Sequence, residues 1–89
     1  MKSFPKRHWK KLVRIEWYDI ATSGGWSRNT SEFTPLLIET VGWVSSIYKN
    51  KQGQEGVTIS ASQGVDNGAT EYNQHISIPV SVITKVESI

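Results

Sequence analysis

The sequence predicts a small all-β domain, a five-stranded and strongly bent barrel preceded by a basic N-terminal arm. Three observations carry this reading. Apolar and polar residues alternate with a period of two, and no segment keeps the 3.6-residue period of a long helix. Clusters of Gly, Asn, Asp and Pro cut the chain into short segments. The chain has 89 residues and no cysteine, so it can build one thin core with no disulfide to reinforce it. Small chains often offset such a core by associating.

Each element follows from local sequence. Residues 1–11 form the arm and residues 12–89 the barrel domain. Val13, Ile15 and Trp17 alternate with Arg14, Glu16 and Tyr18, which marks a half-buried first strand from Leu12 to Ile20. Residues 21–35 are rich in Gly, Ser, Thr and Asn and close on Pro35. Long loops in small domains are often functional, and one helical turn from Thr30 to Phe33 fits inside this one. The second strand runs from Leu37 to Tyr48 with Gly42 in its middle. A lone glycine there marks a bulge or a sharp bend, and a bend lets one strand serve both sides of a barrel. Asn50 to Gly56 reads as an exposed hairpin loop.

The third strand, Val57 to Ser62, sets Val57, Ile59 and Ala61 on one face and Thr58, Ser60 and Ser62 on the other. A turn follows over Gly64 to Gly68, where Asp66-Asn67-Gly68 is the signal. The fourth strand, Glu71 to Ile78, sets Tyr72, Gln74, Ile76 and Ile78 on one face and ends at Pro79, which has no N–H to donate. Pro79 to Val82 suits a single 3₁₀ turn, and Thr84 to Ile89 is the fifth strand.

SH3-like, Sm-like and OB architectures all fit this order. The stretch from Ile76 to Val86 resembles the strand, 3₁₀ turn, strand ending of Sm-type chains. Sm chains begin with a helix and carry RNA-binding loop signatures. Neither is evident here, so RNA binding is not carried over. A second resemblance spans residues 13–89: Glu16-Trp17 and Asp19, Ser23, Gly25-Trp26, Val41-Gly42-Trp43-Val44, Ile78-Pro79, Ile83 and Ile89. This E-W-x-D … G-W … V-G-W … I-P pattern resembles a family of small, mostly unassigned proteins of tailed phages. The resemblance implies a phage protein acting in the cytoplasm of the infected bacterial host. Ile20 stands where the pattern has a small polar residue, and the arm lies outside it.

Catalytic chemistry is hard to assemble from these residues. The two histidines are His8, in the arm, and His75, on the polar face of the fourth strand. A general base needs a partner within hydrogen-bond reach. There is no P-loop, nucleophile elbow or H-E-x-x-H motif. A zinc site needs three or four N or S ligands, and Asp66 and Glu71 read as turn and surface residues. The expectation is no enzyme, no metal and no cofactor. No apolar run approaches the about 20 residues of a membrane span. The basic N-terminus has no apolar stretch behind it, which argues against a secretory signal.

Binding chemistry is better supplied. The Gly24-Gly25 pair lets backbone N–H groups approach an anion closely, with Ser23 adding a hydroxyl and Arg28 a cation. A plain loop explains the same glycines. The four tryptophans exceed what so small a barrel encloses. Trp17 shares a face with Val13 and Ile15 and belongs to the core. Trp43, beside Gly42, needs a partner for its indole N–H if buried. Trp26, on the loop, marks a subunit interface or a stacking platform for a base. Asp19 points inward or to a pocket rim, where it accepts from a base or ribose or caps the loop.

Charge is uneven along the chain. Residues 1–14 carry Lys2, Lys6, Arg7, Lys10, Lys11 and Arg14 and no acid, while the remainder holds all eight acidic side chains. A basic arm on an acidic body suits a polyanion or is simply solvated. Two function classes remain. The first is a non-enzymatic phage counter-defence protein that sequesters a nucleotide-derived signalling molecule as a homo-oligomer, through Asp19, Ser23, Gly24, Gly25, Trp26, Arg28, Trp43 and His75. The second is an Sm-like nucleic-acid-binding module led by Lys6, Arg7, Trp9, Lys10 and Lys11, or an inhibitor that docks on a host protein.

Overall fold

The computed structural model describes residues 1–19 and 35–89. They form β1 (Leu12–Asp19), β2 (Leu36–Lys49), β3 (Glu55–Asp66), β4 (Ala69–Pro79) and β5 (Ile83–Ser88), with 3₁₀ turns at Lys6–His8 and Val80–Val82. The strands make one antiparallel sheet in the order β4-β3-β2-β1-β5. The chain is therefore all-β and five-stranded, as its alternation predicts. The barrel is open, because β4 and β5 end the strand order and do not pair with each other. The helical turn expected at Thr30–Phe33 lies outside the described residues.

β2 organises the sheet by changing partners. From Leu36 to Trp43 it pairs with β1, and from Trp43 to Lys49 with β3. The exchange falls at Gly42-Trp43, where the lone glycine was expected to matter. Its role is close approach: a Cβ on Gly42 would lie 2.6 Å from both Ile59 Cγ2 and the Ser60 carbonyl oxygen. The irregularity in the β2–β3 ladder sits further on, at Ser45.

Alternation then fills one core. Val13, Ile15 and Trp17 of β1 meet Val44, Val57, Ile59, Ile78, Val80 and Ile83. The Trp17 indole N–H donates to Thr40 Oγ1 at 2.9 Å, so the tryptophan in the core leaves no donor unpaired.

Beyond shifts of one or two residues at the other strand ends, two features differ from those the sequence predicts. The β3–β4 hairpin is longer: β3 runs on to Asp66, β4 begins at Ala69, and the turn expected over Gly64 to Gly68 shrinks to Asn67-Gly68. Both turn residues have positive φ, 50° and 80°, the type I′ geometry that matches strand twist. Gly64 reads as turn material because no burial pattern marks it. Beyond Ser60 the ribbon is exposed on both faces, apart from half-buried Tyr72.

The second difference is the arm. The sequence reading sets residues 1–11 apart from the strand pattern as an arm, whose Phe4 and Trp9 either stack on bases or staple it onto the barrel. In the structure Phe4 is buried within the core and His8 beneath the surface. The Phe4 N–H donates to Glu55 Oε1 at 2.8 Å, and the Met1 ammonium to the Ile83 carbonyl at 3.3 Å. The Lys10 N–H donates to the Val44 carbonyl, and the Val44 N–H to the Lys11 carbonyl. The sequence alone leaves the choice open because one buried apolar residue and a 3₁₀ turn give no periodicity.

Candidate ligand-binding face

The register places Leu12, Trp43, Ser60 and His75 in one row across β1, β2, β3 and β4. Neighbouring side chains on a strand point to opposite faces. Val13, Val44 and Ile59 are buried, so this row lies on the opposite, outer face. Trp43 is half-buried there and His75 is exposed.

Hydroxyls fill the space around the row. Ser60 is fully buried. Its Oγ lies 2.7 Å from Ser45 Oγ and 2.7 Å from His75 Nδ1. The Ser45 hydroxyl also donates to the Thr58 carbonyl at 3.2 Å. Thr58 and Ser77 hydroxyls pair at 3.2 Å on the same face, one step along. The face thus offers a large aromatic edge, an imidazole and fixed hydroxyls. It has the chemistry to stack a flat ring and hydrogen-bond its rim. Ser60 is shut away from solvent, so its pairing with His75 does not present a nucleophile.

A charged cluster separates this row from the far end of β1. The Arg14 guanidinium bonds Glu39 and lies 3.5 Å from both Glu16 and Glu87, while Lys85 Nζ is 2.5 Å from Glu87. The hydrogen bond from Lys85 and its charge hold the Glu87 carboxyl below the ordinary carboxylate range. These pairs lie at the surface, half-buried to exposed, and such bridges add little stability.

Of the residues singled out in the sequence, Trp43 and His75 share the row. Asp19 does not join them: it pairs with Leu36, at the opposite end of β1 from Leu12. Seven residues of strand put it about 23 Å away. Ser23, Gly24, Gly25, Trp26 and Arg28 lie outside the described residues. Ser45 and Ser60 were missed. The alternating hydroxyls of Thr58, Ser60 and Ser62 were visible as a polar face, but only the register shows what they stand beside.

The basic residues gather elsewhere. Lys2 and Lys49 line a groove of about 570 Å³ between the N-terminus, Tyr48 and the second 3₁₀ turn. Lys6 and Lys49 line a neighbouring groove of about 520 Å³ on the other side of Tyr48. Trp9 is 44% exposed, with Lys10 Nζ 5.9 Å from its ring centroid. Among the described residues no cluster of His, Asp and Glu could hold a metal ion, and no helix is long and apolar enough to cross a membrane. No family model, curated protein or solved structure matches the chain.

Proposed function

We propose that this chain is a non-enzymatic binding protein that holds a nucleotide-type small molecule on its outer sheet face and works as a homo-oligomer. The observation that carries the reading is the row of Trp43, buried Ser60 and His75. An indole face suits a base, where stacking is worth roughly 1–3 kcal/mol. Fixed hydroxyls and an imidazole suit its polar rim. The free edges of β4 and β5 support association, since an unpaired edge is a template for another chain. The phage setting, and with it sequestration of a nucleotide signal in the cytoplasm of an infected bacterium, rests on the E-W-x-D … I-P pattern.

The test is to incubate the protein with cyclic di- and trinucleotides and ADP-ribose derivatives, then denature it and analyse what is released. Intact ligand recovered with the protein fraction supports the reading. A converted product would make the protein an enzyme and overturn it.

A second reading, nucleic-acid binding, is favoured by one observation: the docked N-terminal segment holds Lys2 and Lys6 beside Lys49, with Trp9 exposed nearby. A salt-dependent affinity for RNA or DNA that falls on neutralising Lys6, Arg7, Lys10 and Lys11 would support it.

A further inference from the structure

We propose that Ser45 and Ser60 fix the neutral His75 ring with its proton on Nδ1, so that Nε2 is a bare acceptor and the outer face selects a base carrying an N–H donor on its edge. The inference rests on the ligand class proposed above and deepens it by naming what the ligand must offer.

The argument is a count of protons. Three hydrogen bonds run in series through His75 Nδ1, Ser60 Oγ, Ser45 Oγ and the Thr58 carbonyl. A serine hydroxyl has one proton to give, and a carbonyl can only accept. The chain ends on the carbonyl, so the Ser45 proton goes to Thr58. Ser45 Oγ must then accept, and the Ser60 proton goes to it. Ser60 Oγ is left to accept from His75, which puts the imidazole proton on Nδ1. The reverse direction leaves the Thr58 contact without a proton. Ser60 is fully buried, so no water competes for its hydroxyl, and a buried polar group is costly to leave unpaired. Which ring nitrogen carries the proton is set by the bond the other partner makes.

The remaining nitrogen, Nε2, has no protein partner among the described residues and lies on the exposed side of His75. It stands in the same row as Trp43, two strand spacings away, which is about 10 Å between backbones. The bond to Ser60 turns Nδ1 to the Trp43 side of the row, and because the two ring nitrogens point in diverging directions, Nε2 faces outward and away from Trp43. A base lying over the exposed side of His75 meets that lone pair, and an amino group on its edge satisfies it. A ring with only lone pairs there sets acceptor against acceptor. Ser45 and Ser60 act through His75 and are positioning residues.

The test reads the tautomer and the selectivity separately. Nitrogen-15 NMR of the free protein at alkaline pH is expected to show His75 protonated on Nδ1; protonation on Nε2 overturns the inference whatever binds. Ser45→Ala removes the acceptor for the Ser60 proton, which then turns to His75 Nδ1. The variant is expected to switch the ring to the Nε2-protonated form, and an unchanged tautomer would count against the relay. For selectivity the probes are AMP and purine riboside monophosphate, which differ by one amino group. AMP is expected to bind about tenfold tighter to the natural chain and to lose that advantage with Ser45→Ala. Equal binding of both probes by the natural chain refutes the inference and leaves the proposed function standing. If neither binds, the recovery experiment above decides the nucleotide class, and the tautomer alone decides whether His75 is a held acceptor.

Discussion

Two N-terminal side chains decide whether the first eleven residues are part of the fold. Phe4 sits in the core at 2% exposure, and His8 packs edge-on against it with ring centroids 6.0 Å apart. Phe4→Ala is expected to cost about 3–5 kcal/mol, a large share of the about 5–15 kcal/mol that holds a domain together. Urea denaturation measures it, and a loss below about 1 kcal/mol would mean that the pocket closes without the ring. His8 adds a pH dependence. Its Nδ1 lies 3.1 Å from Ser88 Oγ, and its Nε2 is buried without a partner among the described residues. Burial, and then the charge of Arg7, hold the ring below its ordinary value of 6.5. The unfolded chain therefore takes up a proton that the folded chain resists. Stability is full above about pH 6.5 and falls as pH drops towards the folded value. Glu87 acts in a lower window: with its folded value depressed, its contribution is lost only as pH falls below about 4.5. Thermal melts from pH 8 to 5 should show a falling midpoint, and His8→Gln should flatten it.

At the scale of elements, strand identity was legible and strand reach was not. Val13, Ile15 and Trp17 show their alternation in the sequence because one face is buried and the other is wet. The same signal is absent from Ala61 to Gln74, where both faces are wet and polar residues serve on either side. There the structure depends on turn chemistry, and Asn67-Gly68 alone closes the hairpin. The candidate face was half legible for a related reason. Trp43 and His75 stand out by residue type, but their alignment depends on the register of two ladders that no local signal fixes. An isolated two-stranded ribbon is marginal in water, so the segment beyond Ser60 contributes little to the core. Replacing Ala61 to Gln74 by Asn-Gly joins Ser60 to His75 through a two-residue turn. The shortened chain is expected to unfold cooperatively within about 4 °C of the natural midpoint, equivalent to under about 1 kcal/mol. A larger drop would make the ribbon part of the cooperative unit.

For the whole molecule, the open sheet is the dominant fact. Among the described residues it leaves β4 unpaired on one side and β5 on the other, while the long hairpin stretches the chain to 56 × 28 × 24 Å. Natural sheets blunt such edges with charges, prolines or covering segments. Here the blunting is partial: Lys85 and Glu87 guard β5, and Pro79 closes one end of β4. Ile76 remains 38% exposed on β4. Two different edges on one chain favour a head-to-tail contact, which closes into a ring when the rotation between copies allows it. Light scattering at high micromolar concentration should therefore give a mass that is a multiple of 10.0 kDa. Ile76→Lys should lower that mass while leaving the thermal midpoint of the dissociated chain near its natural value, because the residue lies outside the buried core. A clean 10.0 kDa species at every concentration would show that the two edges stay unpaired in solution. A mass unchanged by Ile76→Lys would move the contact away from β4.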